Sequence, residues 1–408
     1  MRGAVLAVGT ELLLGDVVNS NAAWLGQQLA AAGVEVVASA AVGDEVERLA
    51  AAIRHHLAEA DVLLLSGGLG PTTDDLTRDA VALACQAPLE RHAALETALE
   101  RRFAAYRMTM PAEVLRQADV PRGAEVLDNP AGTAPGWWLP YGDQVVIALP
   151  GPPHELRAVS APVWPRLAAR SGTVVTTRQV LVSGLGEPVV AERVLGVVTL
   201  PDGVALSYLA SGGTVRVRFT TSRAAAVLEP LVSAVDEALG DYVWGHDRDT
   251  LDDVVHDLLG AAGQTVAVAE SLTGGLLGAT LSRRPGSSTT FRGSLVVYAT
   301  DLKETLAGVP GALLEAHGAV SAETAAALAS GARGRLGADW GVGVTGVAGP
   351  TEQEGRPVGT VHVAVAGPDG GQVRSLRLPG DRERVRALTV TYALDLLRRH
   401  LQGKADRS

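Results

Sequence analysis

The chain of 408 residues has few cysteines, few aromatic residues and no long apolar segment, and each of these excludes some classes of protein. It contains one cysteine, Cys85, so an internal disulfide and a multi-cysteine metal site are both excluded. Aromatic residues make up only 4% of the chain, which predicts a core built mainly from alanine, valine and leucine. It also lacks a secretory leader and an unbroken apolar run of the roughly 18 residues that a membrane span needs. We therefore expect a cytoplasmic protein with no membrane partner.

Lysine is the scarcest charged residue. The two lysines are Lys303 and Lys404, so the other 33 of the 35 basic residues are arginines. Lysine can give up its proton inside a protein whereas arginine cannot, which makes an isolated Lys303 a candidate general base. The alternative is compositional drift, under which Lys303 survives by chance. The residue count alone does not separate the two interpretations.

The overall composition is that of a folded, acidic protein. Hydrophobic residues make up 47% of the chain, which is enough for a large core and excludes global disorder. The formal net charge is −10, and binding to a phosphate backbone depends on clustered positive charge. We therefore do not expect a nucleic acid as a partner.

The order of strand and helix patterns predicts an α/β protein of three domains. Residues 1–170 alternate strands with helices, as in a parallel sheet with helical crossovers, and include a hairpin over residues 137–149. Residues 171–246 predict a small α+β unit without a catalytic constellation, which we interpret as a connector or dimerising domain. Residues 247–402 predict a second α/β domain, and residues 403–408 a polar tail.

A glycine-rich loop in the first domain is the clearest binding signal there. The sequence Ser66-Gly67-Gly68-Leu69-Gly70-Pro71 follows a buried strand and precedes a helix. Glycines at such a junction let backbone N–H groups approach an anion, and the helix N-terminus favours negative charge. The loop is neither a Walker A loop nor a dinucleotide-binding fingerprint. Asp74 and Asp75 follow it and could hold a divalent cation, although either one alone could simply cap the helix.

The last domain carries hydroxyl groups and glycines at strand ends. Glu270-Ser271-Leu272-Thr273-Gly274-Gly275 and Thr345-Gly346 each follow a predicted strand, where helix capping is the simpler role for a lone Ser or Thr. Gly286-Ser287-Ser288, Tyr298 and Lys303 occur in one segment. Ser, Tyr and Lys together are the parts of a serine nucleophile that is activated without histidine.

Several motifs in the first domain occur in an order that resembles the CinA family (competence/damage-inducible protein A), namely those at residues 9–15, 19–21, 42–44, 66–75 and 149–155. The resemblance implies a molybdopterin-binding fold in three layers and hydrolysis of the pyrophosphate bond of ADP-ribose with a divalent metal ion, to which a monovalent cation could be added. It implies metal or phosphate ligands at Asp44, Asp74, Asp75 and Glu155. It implies substrate contacts at Asn21, Gly67, Gly68 and Gly70.

The motifs of the last domain resemble the C-terminal domain of the same family, which also occurs alone as nicotinamide mononucleotide deamidase (the PncC family). The resemblance implies hydrolysis of the carboxamide of nicotinamide mononucleotide to nicotinic acid mononucleotide and ammonia, without a cofactor. It implies Ser288 as nucleophile, Tyr298 and Lys303 as its activating pair, and Thr345 as a contact of the amide or oxyanion. It implies substrate contacts at Ser271, Thr273, Gly274, Gly275, Gly346 and Arg382.

The last domain departs from the family pattern at two places. Leu272 stands where the family commonly has cysteine, so cysteine chemistry there is excluded while a serine mechanism is not. The loop at residues 349–355 lacks the usual glycine pair.

The middle unit resembles the family's KH-type connector, and the resemblance implies a homodimer. Two other interpretations of the function stay open. The protein could be a scaffold that acts in competence or DNA damage, or the first domain could bind a molybdopterin-like ligand instead of ADP-ribose.

Overall fold

The computed structural model describes residues 1–172 and 175–404. Residues 173 and 174, at the predicted boundary of the middle unit, and residues 405–408 of the predicted tail lie outside the described residues. The chain divides into two compact units, Met1–Thr176 and Thr177–Ser408. Each unit is an assembly of helices and sheets with its own core.

The first unit alternates strands and helices for most of its length, as predicted. Its strands are β1 (Arg2–Val8), β2 (Glu35–Val42), β3 (Val62–Ser66), β4 (Leu89–Arg91), β5 (Asp119–Pro121), β6 (Glu125–Leu127), β7 (Gly136–Tyr141) and β8 (Gln144–Leu149). Its helices are α1 (Thr10–Leu14), α2 (Ser20–Ala31), α3 (Val46–Leu57), α4 (Thr77–Cys85), α5 (Ala93–Ala105), α6 (Pro153–Ser160) and α7 (Val163–Ser171), with a 3₁₀ helix at Ala112–Ala118.

The central sheet of this unit has the order β2-β1-β3-β8-β7-β6. The first four strands are parallel, and β7 and β6 are antiparallel additions, so the predicted parallel sheet and the predicted hairpin are both confirmed. The side chains of successive strand residues point to opposite faces of the sheet. Leu63 and Leu65 pack into the core on one face, and Leu64 packs into the core on the other. This is a three-layer α/β domain in which the carboxyl ends of β1, β2, β3 and β8 meet at one edge.

The second unit begins with a four-stranded sheet and continues into a five-stranded one. Its strands are β9 (Thr176–Ser183), β10 (Val204–Ser211), β11 (Thr214–Thr221), β12 (Val243–His246), β13 (Val266–Glu270), β14 (Phe291–Val296), β15 (Trp340–Gly346), β16 (Thr360–Gly367) and β17 (Gly370–Arg377). Its helices are α8 (Glu187–Leu195), α9 (Glu229–Leu239), α10 (Leu251–Ala262), α11 (Leu276–Leu281), α12 (Thr300–Thr305), α13 (Gly311–His317), α14 (Ala322–Leu336) and α15 (Arg382–Leu401), with 3₁₀ helices at Ala225–Val227, Gly240–Tyr242 and Ser287–Thr289.

The four-stranded sheet has the order β10-β11-β9-β12 and carries α8 and α9, which confirms an α+β unit. Strand β12 was not predicted. The helix predicted from residue 224 is regular only from Glu229, because Pro230 occupies the first turn, where its missing N–H costs nothing.

Buried charges join this small sheet to the last helix. Asp395, Arg398 and Arg399 of α15 are at most 2% exposed, and the Asp395 carboxylate accepts hydrogen bonds from both guanidinium groups at 2.7–3.0 Å. Arg398 also donates to the carbonyl oxygens of Asp241 and Val243. Since each buried charge has a partner, α15 and the strand β12 are held together by satisfied polar contacts.

The five-stranded sheet has the order β14-β13-β15-β16-β17. Strands β14, β13 and β15 are parallel, and β16 and β17 are antiparallel, so the predicted pairing of the last two strands is confirmed. The helix predicted from residue 272 begins only at Leu276, and the strand predicted at residues 295–298 runs over Phe291–Val296. Among the described residues, no helix combines the length and the apolar character that crossing a membrane requires.

Candidate active sites at two sheet edges

The three parallel strands of the second unit bring three motif segments to one edge. Glu270, the last residue of β13, pairs with Val296 of β14 and Val344 of β15. The next residues along these strands are Ser271, Val297 and Thr345, and they therefore follow side by side. The Ser271 N–H donates to Val344 O at 3.0 Å, which fixes this serine at the strand end.

A buried carboxylate builds the turn that carries Ser271. Glu270 is 0% exposed, and its oxygens accept hydrogen bonds from the N–H groups of Gly275 (3.0 Å), Leu277 (2.9 Å) and Gly278 (2.8 Å) and from Ser294 Oγ (2.8 Å). These contacts delay the helix to residue 276, since the carboxylate takes the amides of its first turn. The predicted substrate contact through the Gly275 N–H is therefore not available, because that donor is already used.

Two backbone donors remain beside Ser271. The Gly274 N–H donates to Ser271 O at 3.0 Å, so it too is occupied. The N–H groups of Leu272 and Thr273 have no acceptor in the described part of the chain. The Thr273 hydroxyl is buried, again without a partner among the described residues. Unpaired N–H donors at a strand end are suited to stabilise negative charge on a bound oxygen.

Lys303 reaches this edge from helix α12. It is 2% exposed, and its Nζ donates to Val297 O at 3.0 Å and Tyr298 O at 3.3 Å. A neutral amine that gives two hydrogens to these carbonyls keeps one lone pair. That lone pair is what a general base needs.

Burial shifts the Lys303 amine toward its neutral form. Desolvation lowers its pKa below the ordinary value for lysine, while the carboxylates of Glu354 and Asp301 act in the opposite direction. Glu354 belongs to the loop that departs from the family pattern, and its Oε2 accepts the Val320 N–H at 3.2 Å. The unusual loop thus contributes a charge that acts on the lysine.

Tyr298 and Arg382 form a bridge across the same edge. Arg382 Nη2 donates to the Tyr298 hydroxyl at 2.7 Å, and Nη1 donates to Gly349 O at 2.7 Å. Tyr298 thus contacts Lys303 through its carbonyl oxygen and not through its hydroxyl, which corrects the predicted activating pair. Arg382 lies exposed in the first turn of α15, where the helix dipole also favours an anion.

Thr345 and Gly346 have narrower roles than predicted. The Thr345 hydroxyl donates to Ala319 O at 2.6 Å, so it can accept a hydrogen bond from a substrate amide but cannot donate to an oxyanion. A side chain on Gly346 would lie 2.5 Å from Thr360 O, so the glycine is needed for the approach of β16. The structure therefore assigns Gly346 a packing role.

The structure does not bring Ser288 to this edge, which corrects its assignment as nucleophile. Ser288 lies exposed in the 3₁₀ helix that precedes β14, whereas Tyr298 and Lys303 follow β14. A strand of six residues spans about 20 Å at roughly 3.3 Å per residue. Ser271, predicted only as a substrate contact, is the motif serine at the edge that carries Lys303. The signal that could have found it is its position directly after a buried strand.

The glycine-rich loop of the first unit forms as predicted at the end of β3. Gly67 and Gly68 have φ angles of 102° and 67°, and a side chain on Gly67 would meet Val8 O at 2.5 Å. The N–H groups of Gly68 and Leu69 have no acceptor among residues 1–172 and 175–404. Asn21 Nδ2 donates to Gly151 O at 2.7 Å and to Ser66 Oγ at 3.1 Å, so it joins this loop to the loop after β8.

Asp75 holds the glycine-rich loop and is not a free metal ligand. Its carboxylate accepts hydrogen bonds from Gly70 N at 2.7 Å, from Thr72 N at 2.9 Å and from the Thr72 hydroxyl. Arg78 is buried beneath and donates to the carbonyl oxygens of Leu69 and Gly70. Burial lowers the Arg78 pKa to about 10, so its charge persists at neutral pH and supports an anion above the loop.

The four predicted metal ligands do not converge. Asp44 accepts both the N–H and the hydroxyl of Thr10 at 2.8 Å, and Glu155 Oε2 accepts Asn129 Nδ2 at 2.6 Å. Asp44 follows β2 and Glu155 follows β8, which are three strand spacings, or about 14 Å, apart. Asp74 is exposed, and the polar groups of the neighbouring Thr72 lower the pKa of its carboxyl group. In the described part of the chain, no three His, Cys, Asp or Glu side chains form a metal-binding cluster.

Comparisons with known proteins agree with this three-part architecture. Residues 4–169 match the probable molybdopterin binding domain, residues 177–245 the KH domain of damage-inducible protein CinA, and residues 248–401 the CinA C-terminal domain. The class is therefore an α/β protein in which a molybdopterin-binding-like domain precedes a KH connector and a second α/β domain with a mixed sheet.

Two relatives resemble the chain over its full length. The CinA-like protein of Frankia casuarinae is 48% identical over 419 residues, covering 99% of this chain and 97% of the relative. The CinA-like protein of Parasynechococcus marenigrum is 42% identical over 415 residues, covering 98% of both. The chain belongs to the CinA family. A crystal structure of CinA from Thermoplasma acidophilum is 31% identical and covers 41% of this chain and 99% of its own, with a TM-score of 0.39.

Proposed function

We propose that the second unit is an amidohydrolase that converts nicotinamide mononucleotide to nicotinic acid mononucleotide and ammonia. The observation that carries the proposal is the buried Lys303 amine at the same sheet edge as Ser271. A serine hydroxyl needs a base to become a nucleophile, and this edge supplies one without histidine. Amide hydrolysis also needs oxyanion donors, which the N–H groups of Leu272 and Thr273 provide.

The proposed reaction proceeds through an acyl-enzyme. Lys303 Nζ takes the proton of Ser271 Oγ, which attacks the carboxamide carbon. The carbonyl oxygen becomes an oxyanion facing the two free backbone N–H groups. When the intermediate collapses, Lys303 returns the proton to the nitrogen and ammonia leaves. Water then hydrolyses the ester by the same proton transfers, which releases the carboxylate product and restores Ser271.

Arg382 is the proposed contact of the substrate phosphate. Its guanidinium group is exposed at the start of α15 and donates a hydrogen bond to the Tyr298 hydroxyl. Arginine binds phosphate through paired N–H donors, and a helix N-terminus adds to that attraction. The Thr345 hydroxyl would accept one N–H of the carboxamide and so orient the group that is cleaved.

The direct test is ammonia release from nicotinamide mononucleotide by the purified full-length protein. We expect release with formation of one nicotinic acid mononucleotide per ammonia, and loss of release in Ser271→Ala. Nicotinamide riboside, which lacks the phosphate, should be a poorer substrate by its KM. A folded wild-type protein that releases no ammonia would refute the proposal.

A second activity is proposed for the first unit, on the separate evidence of its glycine-rich loop. Free N–H groups at Gly68 and Leu69, with the Arg78 charge below, suit a diphosphate. We propose hydrolysis of the pyrophosphate bond of ADP-ribose. The four carboxylates do not converge on one metal ion, so a divalent ion would be held largely by the substrate phosphates. Formation of AMP from ADP-ribose, with and without Mg²⁺, tests the activity.

The assembly of the chain is also a proposal. We propose a homodimer, as the resemblance implies, with small nucleotides as its ligands and no nucleic-acid partner. Light scattering of the purified protein measures whether it is a homodimer. Salt-dependent binding to DNA would contradict the absence of a nucleic-acid partner.

A further inference from the structure

Glu354, in the loop after β15, has a backbone conformation that costs free energy. Its φ angle is 53°, in the left-handed region that residues other than glycine, asparagine and aspartate seldom adopt. Residues in such conformations cluster at sites where the side chain has a function. Glu354 is also exposed, so its carboxylate is accessible to a ligand.

The turn between α13 and α14 holds this carboxylate beside the candidate active site. Glu354 Oε2 accepts a hydrogen bond from Val320 N at 3.2 Å, and a side chain on Gly318 would lie 2.5 Å from the same oxygen. Between these two residues, Ala319 O accepts the hydroxyl hydrogen of Thr345 at 2.6 Å. Three consecutive residues therefore hold both the Glu354 carboxylate and the proposed contact of the carboxamide.

The negative charge of Glu354 opposes the chemistry proposed for this edge. Its carboxylate raises the pKa of Lys303, whereas burial lowers it, and a general base must be neutral. A positively charged substrate removes this conflict, because a cation bound at Glu354 cancels the field of the carboxylate and favours the neutral amine. The position of Glu354 therefore suits a cationic ligand.

Glu354 lies at the other end of its loop from the proposed phosphate contact. Gly349, at the start of the loop, accepts a hydrogen bond from Arg382 at 2.7 Å. One loop thus has a guanidinium group at its first residue and a carboxylate near its end. Nicotinamide mononucleotide has a matching distribution of charge, since its phosphate is anionic and the pyridinium ring that carries the carboxamide is cationic.

We propose that Glu354 is a specificity-determining residue whose carboxylate binds the positive charge of the pyridinium ring of the substrate. The proposal rests on the proposed amidohydrolase activity for the identity of the substrate. It predicts that the site distinguishes an oxidised, cationic nicotinamide ring from a reduced, neutral one. A nucleotide that differs only in having the neutral dihydropyridine ring binds less tightly.

The test measures binding in a background without turnover. Dissociation constants of nicotinamide mononucleotide and of its reduced, neutral form are determined by titration calorimetry with full-length Ser271→Ala, alone and combined with Glu354→Gln or Glu354→Asp. Glutamine keeps an oxygen for Val320 N–H and removes the charge, and aspartate keeps the charge in a residue that tolerates this φ angle. Glu352→Gln, at an exposed position of the same loop, is the matched control.

We expect the oxidised form to bind about fivefold more tightly than the reduced form, as an ionic contact at an exposed carboxylate provides. Glu354→Gln should abolish this preference, while Glu354→Asp and Glu352→Gln should keep it. The preference should also fall as salt is added, because exposed charges are screened. A role of Glu354 that is only structural would weaken both ligands equally and leave the preference unchanged.

The outcomes separate this proposal from the proposed hydrolysis. A preference that survives Glu354→Gln, or the absence of any binding of nicotinamide mononucleotide, overturns the role of Glu354. If wild type releases ammonia but the preference does not depend on Glu354, the amidohydrolase proposal stands and the role of Glu354 is wrong. If the preference depends on Glu354 but wild type releases no ammonia, the cation-binding role stands and the proposed hydrolysis fails.

Discussion

The two sheet edges are built alike but use their polar groups in opposite ways. Each lies at the carboxyl ends of parallel strands, followed by a glycine-containing turn and a helix. In the second unit, Glu270 accepts hydrogen bonds from the amides of the helix start, and the buried amine of Lys303 is the group proposed to react. In the first unit, Asp75 holds the loop from the side and leaves the amides of Gly68 and Leu69 free.

This contrast teaches how one topology serves two kinds of chemistry. A parallel edge suits proton transfer where it buries a titratable amine near a hydroxyl, as proposed for the second unit. The same kind of edge suits an anion where its glycines leave N–H groups unpaired above a buried cation, as proposed for the first unit. Both edges leave two amides unpaired, at Leu272 and Thr273 in one and at Gly68 and Leu69 in the other, so the difference between them is the buried cation: a lysine amine beside a hydroxyl, or a guanidinium group below the loop.

The sharpest test of the contrast compares two serines of the second unit. Ser271→Ala should lower kcat for ammonia release by about 10³-fold or more, since a nucleophile cannot be replaced by binding alone. Ser288→Ala should stay within about twofold of wild type, because Ser288 lies at the opposite edge of the sheet. Steady-state assays of both variants decide, and the reverse result would restore Ser288 as the nucleophile.

The second test removes the base while keeping the charge. Lys303→Arg should lower kcat by about 10²- to 10⁴-fold, because a guanidinium group does not accept a proton at working pH. Lys404→Arg, at the other lysine of the chain, is the matched control and should be indistinguishable from wild type. Parallel ammonia-release assays check this, and full activity in Lys303→Arg would make Lys303 a structural residue.

The third test addresses the turn itself. Glu270→Gln should reduce the free energy of unfolding by about 2–3 kcal/mol, because an amide NH₂ replaces one acceptor oxygen opposite backbone donors. Chemical denaturation measures it, with exposed Glu315→Gln as the control. A variant as stable as wild type would show that the buried carboxylate does not hold the turn.

The smallest expected effect concerns pH. Since burial lowers the pKa of Lys303 and Glu354 opposes that shift, Glu354→Gln should lower the Lys303 pKa further. Activity that requires neutral Lys303 rises with pH, so its acidic limb should move to lower pH in this variant. Glu352→Gln, at an exposed position of the same loop, should leave the limb in place. A limb that moves to higher pH would contradict the proposed role of Lys303.

Much of the fold could be predicted because periodicity is local. The helices Leu251–Ala262 and Ala322–Leu336 begin and end at the predicted residues. The strand β12 and the late start of α11 could not be predicted, because the first depends on pairing with β9 and the second on contacts of Glu270 with residues up to Ser294. Local propensity carries no information about such partners.

In the candidate sites, too, the features that depend on neighbouring residues could be predicted and those that depend on distant segments could not. The order of residues along the chain placed Thr345 and the glycine-rich loop at strand ends, where the structure has them, and Lys303 shortly after a strand, where the structure has helix α12. It also placed Ser288 near Lys303 in sequence, although an entire strand separates them in space. Glu354 could not be found either, because its effect on Lys303 exists only after distant segments have packed together.

The three-part α/β order, the glycine turns and the isolation of Lys303 from any other lysine by a hundred residues could be predicted from the sequence, because composition and hydrophobic period are local properties; Lys404, predicted to lie in a polar tail, instead pairs with Asp241. The tertiary structure alone decided which serine shares an edge with Lys303, which amides remain free and which carboxylates are already occupied. These depend on strand register and burial, since parallel pairing joins residues far apart in sequence and desolvation gives each group its charge state.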